Sequence, residues 1–140
     1  MAYDPDNLFM RIIRGELPCV KVHEDDEVLA FMDIMPQSEG HTLVVPKVAG
    51  ENLLDTPPAS VAAAVAVVQR IARAAPQAFG CPGVMVAQFN GAAAGQTVYH
   101  LHFHVIPRWL DRPFGLHARD RADPTELAAA AEKLRSALAN

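Results

Sequence analysis

The run His100-Leu101-His102-Phe103-His104-Val105-Ile106 alternates imidazoles with apolar side chains. A period of two is that of a β-strand, whose successive side chains point to opposite faces. His100, His102 and His104 therefore share one face, and Leu101, Phe103 and Val105 share the other. The apolar face needs a core to cover it, which sets three imidazoles on the opposite face of a packed sheet. Near neutral pH imidazole serves as nucleophile, general acid or base, or metal ligand. The bland alternative is an exposed polar stripe, because buried histidines would need hydrogen-bond partners.

The elements around this ribbon read as a small α+β unit. Asn7–Arg14 has a short helical pattern, with Asp6 as the N-cap and Gly15 as the stop. Val20–Glu24 and Val28–Asp33 flank Asp25-Asp26 as a hairpin. After the polar loop Pro36–Gly40, His41–Val45 is a β-branched strand stopped by Pro46. Asp55-Thr56 supply caps and Pro57-Pro58 suit the entry of the longest helix. Its apolar stripe is Val61, Val65, Val68 and Ala72, widened by Val67 and Ile71. Val84–Phe89 is a further strand, Asn90–Gly95 a glycine-rich loop, and Thr97–Ile106 the histidine strand ended by Pro107. Asp123-Pro124-Thr125-Glu126 then opens a last helix with Leu127, Ala131, Leu134 and Leu138 on one face. Short strands with one long helical crossover favour an antiparallel sheet over a doubly wound parallel one.

Composition narrows the partners. The 140 residues are enough to bury a core, and 51% hydrophobic with 20% charged residues is a globular balance. A net charge of −4 gives no electrostatic reason to bind long nucleic acid. No apolar run reaches the length of a membrane span, and the first residues lack the basic and apolar regions of a signal peptide, so cytoplasmic residence is expected. Cys19 and Cys81 form neither a Cys-x-x-Cys pair nor a disulfide framework.

The loop before the ribbon gives the histidines something to act on. Asn90, Gly95, Gln96 and Thr97 can aim backbone N–H groups, amides and a hydroxyl at an anion, which is phosphate-binding chemistry without a basic patch. Alone, such a loop is an ordinary hairpin connection; beside three co-facial histidines it points to a phosphate. A zinc site is the competing reading, with His23, His41 or His117 completing it, although i and i+2 residues on a straight strand do not converge readily on one ion.

His100–Ile106 resembles the His-φ-His-φ-His-φ-φ signature of the histidine triad family of nucleotidyl hydrolases and transferases. Asp33–Pro36, Gly40–Lys47, Asn90–Arg108 and Arg11–Pro18 are similar to its Hint, or HIT-like, branch, so the likeness covers most of residues 7 to 108. The resemblance implies one HIT-like α+β domain over residues 1–140, with its core at 7–108 and a C-terminal loop and helix at 109–140. It further implies a five-stranded antiparallel sheet, homodimerisation, and attack on the α-phosphorus of a purine nucleoside monophosphate joined to a leaving group. By motif position His102 is the nucleophile. His100 orients it through its backbone carbonyl, and His104 and His41 contact phosphate or handle the leaving-group proton. Asn90, Gln96 and Thr97 would hold phosphate oxygens, Asp33 the ribose hydroxyls, and Phe9, Phe31 and Ile34 the base. His104, where nucleotidyl transferases of the family tend to carry Gln, favours hydrolysis.

One departure stands out. Many relatives have Cys-x-x-Cys where this chain has Asn7-Leu8-Phe9-Met10, and a histidine after the Pro-Lys segment where it has Val48-Ala49. No structural zinc and no other cofactor is expected, with packing by Leu8, Phe9 and Met10 in place of that staple.

Overall fold

The computed structural model describes residues 3–113 and 120–140. Its elements run α1 (Leu8–Ile13), β1 (Lys21–Glu24), β2 (Val28–Met32), β3 (Thr42–Pro46), α2 (Pro58–Phe79), β4 (Gly83–Ala87), β5 (Phe103–Arg108) and α3 (Pro124–Leu138). The strands form one antiparallel sheet in the order β1-β2-β3-β5-β4. The α+β, five-stranded antiparallel architecture expected from the sequence is the one observed. No helix among the described residues is long and apolar enough to cross a membrane.

Every residue of β2 and β3 is buried, because the sheet is covered on both faces at its centre. Val28, Ala30, Met32 and Val44 point to α2 and α3, where Leu101, Phe103 and Val105 join the same core. Leu29, Phe31, Leu43 and Val45 point the other way, into a second cluster with Phe9 of α1. Alternation explains the division, and double-sided burial explains why both sets are apolar. The apolar side of the histidine ribbon is thus taken by the helices, which leaves its imidazoles on the α1 side.

Several boundaries differ from the sequence reading. α1 is capped by Asn7 rather than Asp6, its side chain accepting from the N–H groups of Phe9 and Met10. At the entry to α2, Asp55 turns back to accept from the N–H groups of Glu51 and Asn52, while the Thr56 hydroxyl donates to the Asn52 carbonyl. Neither residue caps the helix, which starts after Pro57 without a side-chain cap. The buried stripe of α2 is Ala64, Val67, Val68, Ile71, Ala74 and Ala75, and Val65 faces solvent. Small alanines that fit close to the sheet displaced the stripe from the one traced by valines.

The histidine strand is also shorter at its start and longer at its end. β3 pairs with β5 only at Val44↔Phe103, Leu43↔His104 and Thr42↔Val105, so residues 97–102 arrive outside the ladder, with a bend at 98–100. β5 instead continues through Pro107, which faces Val84 of β4. Pairing with β3 has already ended there, so the missing N–H of Pro107 disrupts no ladder on that side. α3 begins as expected, with Asp123 accepting from the N–H of Thr125, and Arg135 reaches the Lys21 carbonyl at 2.5 Å on the β1 edge.

Candidate active site

His102 and His41 are held in defined proton states by backbone groups. His102 Nδ1 lies 2.7 Å from the His100 carbonyl. A carbonyl only accepts, so Nδ1 carries the proton and Nε2 keeps its lone pair. Phe9 stands edge-on to the same ring, with centroids 4.8 Å apart and planes at 84°. Burial pushes the His102 pKa down to about 4, the His100 charge adding to this and the hydrogen bond to its carbonyl opposing it. At neutral pH His102 is an uncharged imidazole with an available nitrogen.

His41 is oriented in the opposite sense. The backbone N–H of Gln37 donates to its Nδ1 at 2.9 Å, which puts the ring proton on Nε2. That N–H faces His104 Nδ1 at 3.0 Å and Asp33 Oδ2 at 3.5 Å. Burial, then the charges of His104 and His102, lower the His41 pKa to about 3. Asp33 is fixed through its other oxygen, which accepts from the Met35 N–H at 2.8 Å. The His104 ring lies 5.1 Å from that of His102, 5.2 Å from that of His41 and 5.4 Å from that of Phe89, centroid to centroid.

His41, His102, His104, Asp33 and Thr97 contribute polar wall, with Gln37 and Arg121, to a cavity of about 600 Å³. Phe9, Ile12, Phe31, Ile34 and Leu43 contribute apolar wall. The volume is that of a typical small-ligand site, and few polar groups on a largely apolar lining is its usual composition. His100 is fully buried behind His102, with Nε2 on the Pro46 carbonyl at 2.7 Å and Nδ1 at 2.6 Å from the Tyr3 hydroxyl.

Two expected phosphate ligands are not brought to this wall. Gln96 is 3% exposed, and its Oε1 accepts from Gly91 N–H and Asn52 Nδ2 while its Nε2 donates to the Glu51 and Val98 carbonyls. An amide with both ends saturated braces the loop and has nothing left to give a ligand. Asn90 is held by its neighbours and does not line the cavity: its Oδ1 accepts from Leu53 N–H and Gln88 Nε2, and its Nδ2 donates one bond to Gln88 Oε1. Of the three polar loop residues, only Thr97 lines the cavity. The packing expected of α1 is corrected too, since Phe9 is buried but Leu8 is largely exposed and Met10 only partly covered.

Sequence reasoning did not single out Tyr3, Phe89 or Arg121. Tyr3 and Arg121 lie outside the quoted segments, and Phe89 ends the strand before Asn90 without a spacing signal of its own. Arg121 is the only lysine or arginine among the described residues lining the cavity, and Ala122 N–H donates to the Ile34 carbonyl at 2.9 Å to hold that segment on the rim.

Asp33, His41 and His104 present ligand atoms within 4.8 Å of one another, the one such grouping among the described residues. Its proton pattern weighs against a cation. A metal takes the lone pair of a neutral imidazole, which for His41 Nε2 would move the ring proton to Nδ1, against the Gln37 N–H. His23 is elsewhere, paired with Asp25 at 2.7 Å on the hairpin, and His117 lies outside the described residues.

The family model described as HIT domain matches residues 14–109. A protein named Adenylylsulfatase HINT3, from Arabidopsis thaliana, is 46% identical over 74% of this chain, which spans 52% of that relative's length. Adenosine 5'-monophosphoramidase hnt1 of Schizosaccharomyces pombe is 39% identical over 72% of this chain and 73% of its own length. Among solved structures, a Hit-like protein described as involved in cell-cycle regulation, from Bartonella henselae, superposes with a TM-score of 0.91 at 48% identity, covering 97% of this chain and 99% of that one. This chain belongs to the HIT domain family, and its fold is that of the family's solved structures.

Proposed function

We propose that the chain is a nucleotide hydrolase that cleaves a purine nucleoside monophosphate from its leaving group through a nucleotidyl-histidine, acting foremost as a nucleoside phosphoramidase. The observation that carries this reading is the His102 Nδ1–H bond to the His100 carbonyl, which presents an unprotonated Nε2 at the polar end of a nucleotide-sized cavity. Nε2 attacks the α-phosphorus, forming a P–N bond as the bond to the leaving group breaks. A proton for the leaving group comes from the His104–His41 pair. Water then attacks the same phosphorus, giving a proton back to that pair as the P–N bond breaks, which releases the monophosphate and restores His102. Two moderate displacements replace one difficult one, and Thr97, on the cavity wall, offers a donor to the phosphoryl oxygens. Asp33 accepts from the ribose hydroxyls, and Phe9, Phe31 and Ile34 flank the base.

Arg121 on the cavity wall supports a second reading, in which the leaving group is an anion such as sulfate or a nucleotide polyphosphate rather than an amine. A non-enzymatic nucleotide-binding module is the third. Adenosine phosphoramidate, adenylyl sulfate and a dinucleoside polyphosphate, offered separately, distinguish them by AMP release. Fastest release from the phosphoramidate is expected; faster release from either anionic substrate selects the second reading. Tight AMP binding with no release from any of them contradicts the enzyme.

The same reading includes a homodimer. β4 is an edge strand with Val86 49% exposed, and Leu54, in the loop before α2, is 81% exposed. The Leu53 N–H bond to Asn90 ties that loop to the end of β4. An open edge flanked by apolar side chains is a surface that pairing would cover. Sedimentation at micromolar concentration should give a dimer that Val86→Asp dissociates; a wild-type monomer counts against it.

A further inference from the structure

Behind His102 runs a line of hydrogen bonds whose protons can be ordered in one direction only. Asn7 Oδ1 accepts from the N–H groups of Phe9 at 3.1 Å and Met10 at 3.0 Å. The other end of that amide is therefore Nδ2, which donates to the Tyr3 hydroxyl and the Asp4 carbonyl, each at 2.8 Å. At the far end, the Pro46 carbonyl can only accept, so His100 carries its proton on Nε2 and a lone pair on Nδ1. The Tyr3 hydroxyl, 2.6 Å from Nδ1, must then donate to it. Burial raises the Tyr3 pKa, which keeps that proton in place. The sequence of donors is Asn7, Tyr3, His100, with Pro46 as the final acceptor.

This line ends where the nucleophile is aimed. His100 and His102 precede β5, so no strand ladder sets the direction of the His100 peptide. That peptide is held by the two bonds of the His100 ring and by Leu101 N–H on the Gly50 carbonyl at 2.9 Å. Its carbonyl in turn takes the His102 Nδ1 proton. Asn7 has a second connection to the same ring, because the helix it caps carries Phe9 against His102. Neither Tyr3 nor Asn7 lines the cavity.

We propose that Tyr3 and Asn7 are positioning residues that fix the direction of His102 through the His100 carbonyl. This rests on the reading of His102 as the nucleophile. Tyr3→Phe removes the donated proton and keeps the ring. Asn7→Asp keeps the helix cap but replaces the donor to Tyr3 by an acceptor, drawing the phenol proton away from His100. Both variants should lower kcat on adenosine phosphoramidate about tenfold, the worth of one hydrogen bond, with KM within about twofold. If Asn7 acts only as a cap, Asn7→Asp behaves as wild type.

The second readout does not need activity. In nitrogen-15 NMR of the full chain, the His102 Nδ1–H signal should be protected from exchange in the wild type and lost or broadened in both variants. Wild-type kcat together with an unchanged His102 signal in both variants overturns the proposal, as does a wild-type His100 carrying its proton on Nδ1. Should the wild type hydrolyse none of the substrates, the reading of function fails while the NMR comparison still decides the positioning role.

Discussion

His102→Ala should abolish AMP release from every substrate the wild type cleaves, with a loss of about 10⁴-fold or more, the scale seen when a covalent nucleophile is deleted. AMP binding, measured by calorimetry, should change only severalfold, because Asp33, Phe31 and Thr97 remain on the cavity wall. The asymmetry follows from His102 contributing a bond that exists only along the reaction. The substitution also leaves the His100 carbonyl without its partner, so a thermal melt should accompany the kinetics to show that the fold survives. Loss of AMP binding in parallel with turnover would assign His102 to ligand recognition.

Acid should begin to destabilise this protein above the pH at which carboxylates titrate. The pKa of His41 is lowered to about 3 and that of His102 to about 4, from an ordinary 6.5, both chiefly by burial. The sign follows from which state binds protons. Below pH 6.5 the unfolded chain protonates these rings and the folded chain does not, so stability falls as pH falls until the folded values are reached. Each histidine costs about 1.4 kcal/mol per pH unit in that window. Between pH 7 and pH 5 the pair amounts to about 4 kcal/mol, a large share of the ~5–15 kcal/mol of a typical domain. Burial lowers His100 in the same direction. Urea unfolding at the two pH values should show that loss, and His41→Asn should remove about half of it. Equal stability at pH 7 and pH 5 would mean that the two rings are not buried neutral.

The features legible in the sequence were those whose cause is local. The hairpin around Asp25, the stop at Gly15 and the Asp123 cap of α3 follow from side-chain-to-backbone bonds or backbone geometry spanning a few residues. The alternation at residues 100–106 correctly divided apolar from imidazole faces, because Leu101, Phe103 and Val105 had to reach the core under α2 and α3. Alternation alone could not place the start of β5, since that depends on where β3 ends its pairing.

Long-range partners were the ones missed. Gln96 looked like a phosphate ligand by position, yet Glu51 and Asn52, distant in sequence, saturate its amide together with Gly91 and Val98. Tyr3 reaches His100 across 97 positions, which no periodicity reports. Alanines of α2 gave too weak an apolar signal to mark its buried face, which only close packing on the sheet reveals.

The central claim is that hydrolysis proceeds through a bond between His102 and phosphorus, and the configuration at phosphorus tests it most directly. An adenosine phosphorothioamidate of one configuration, turned over in oxygen-18 water, yields a chiral product whose handedness counts the displacements. Each in-line attack inverts the centre, so attack by His102 followed by attack by water predicts net retention. Net inversion would mean that water attacks the substrate directly, and the nucleotidyl-histidine account would be contradicted.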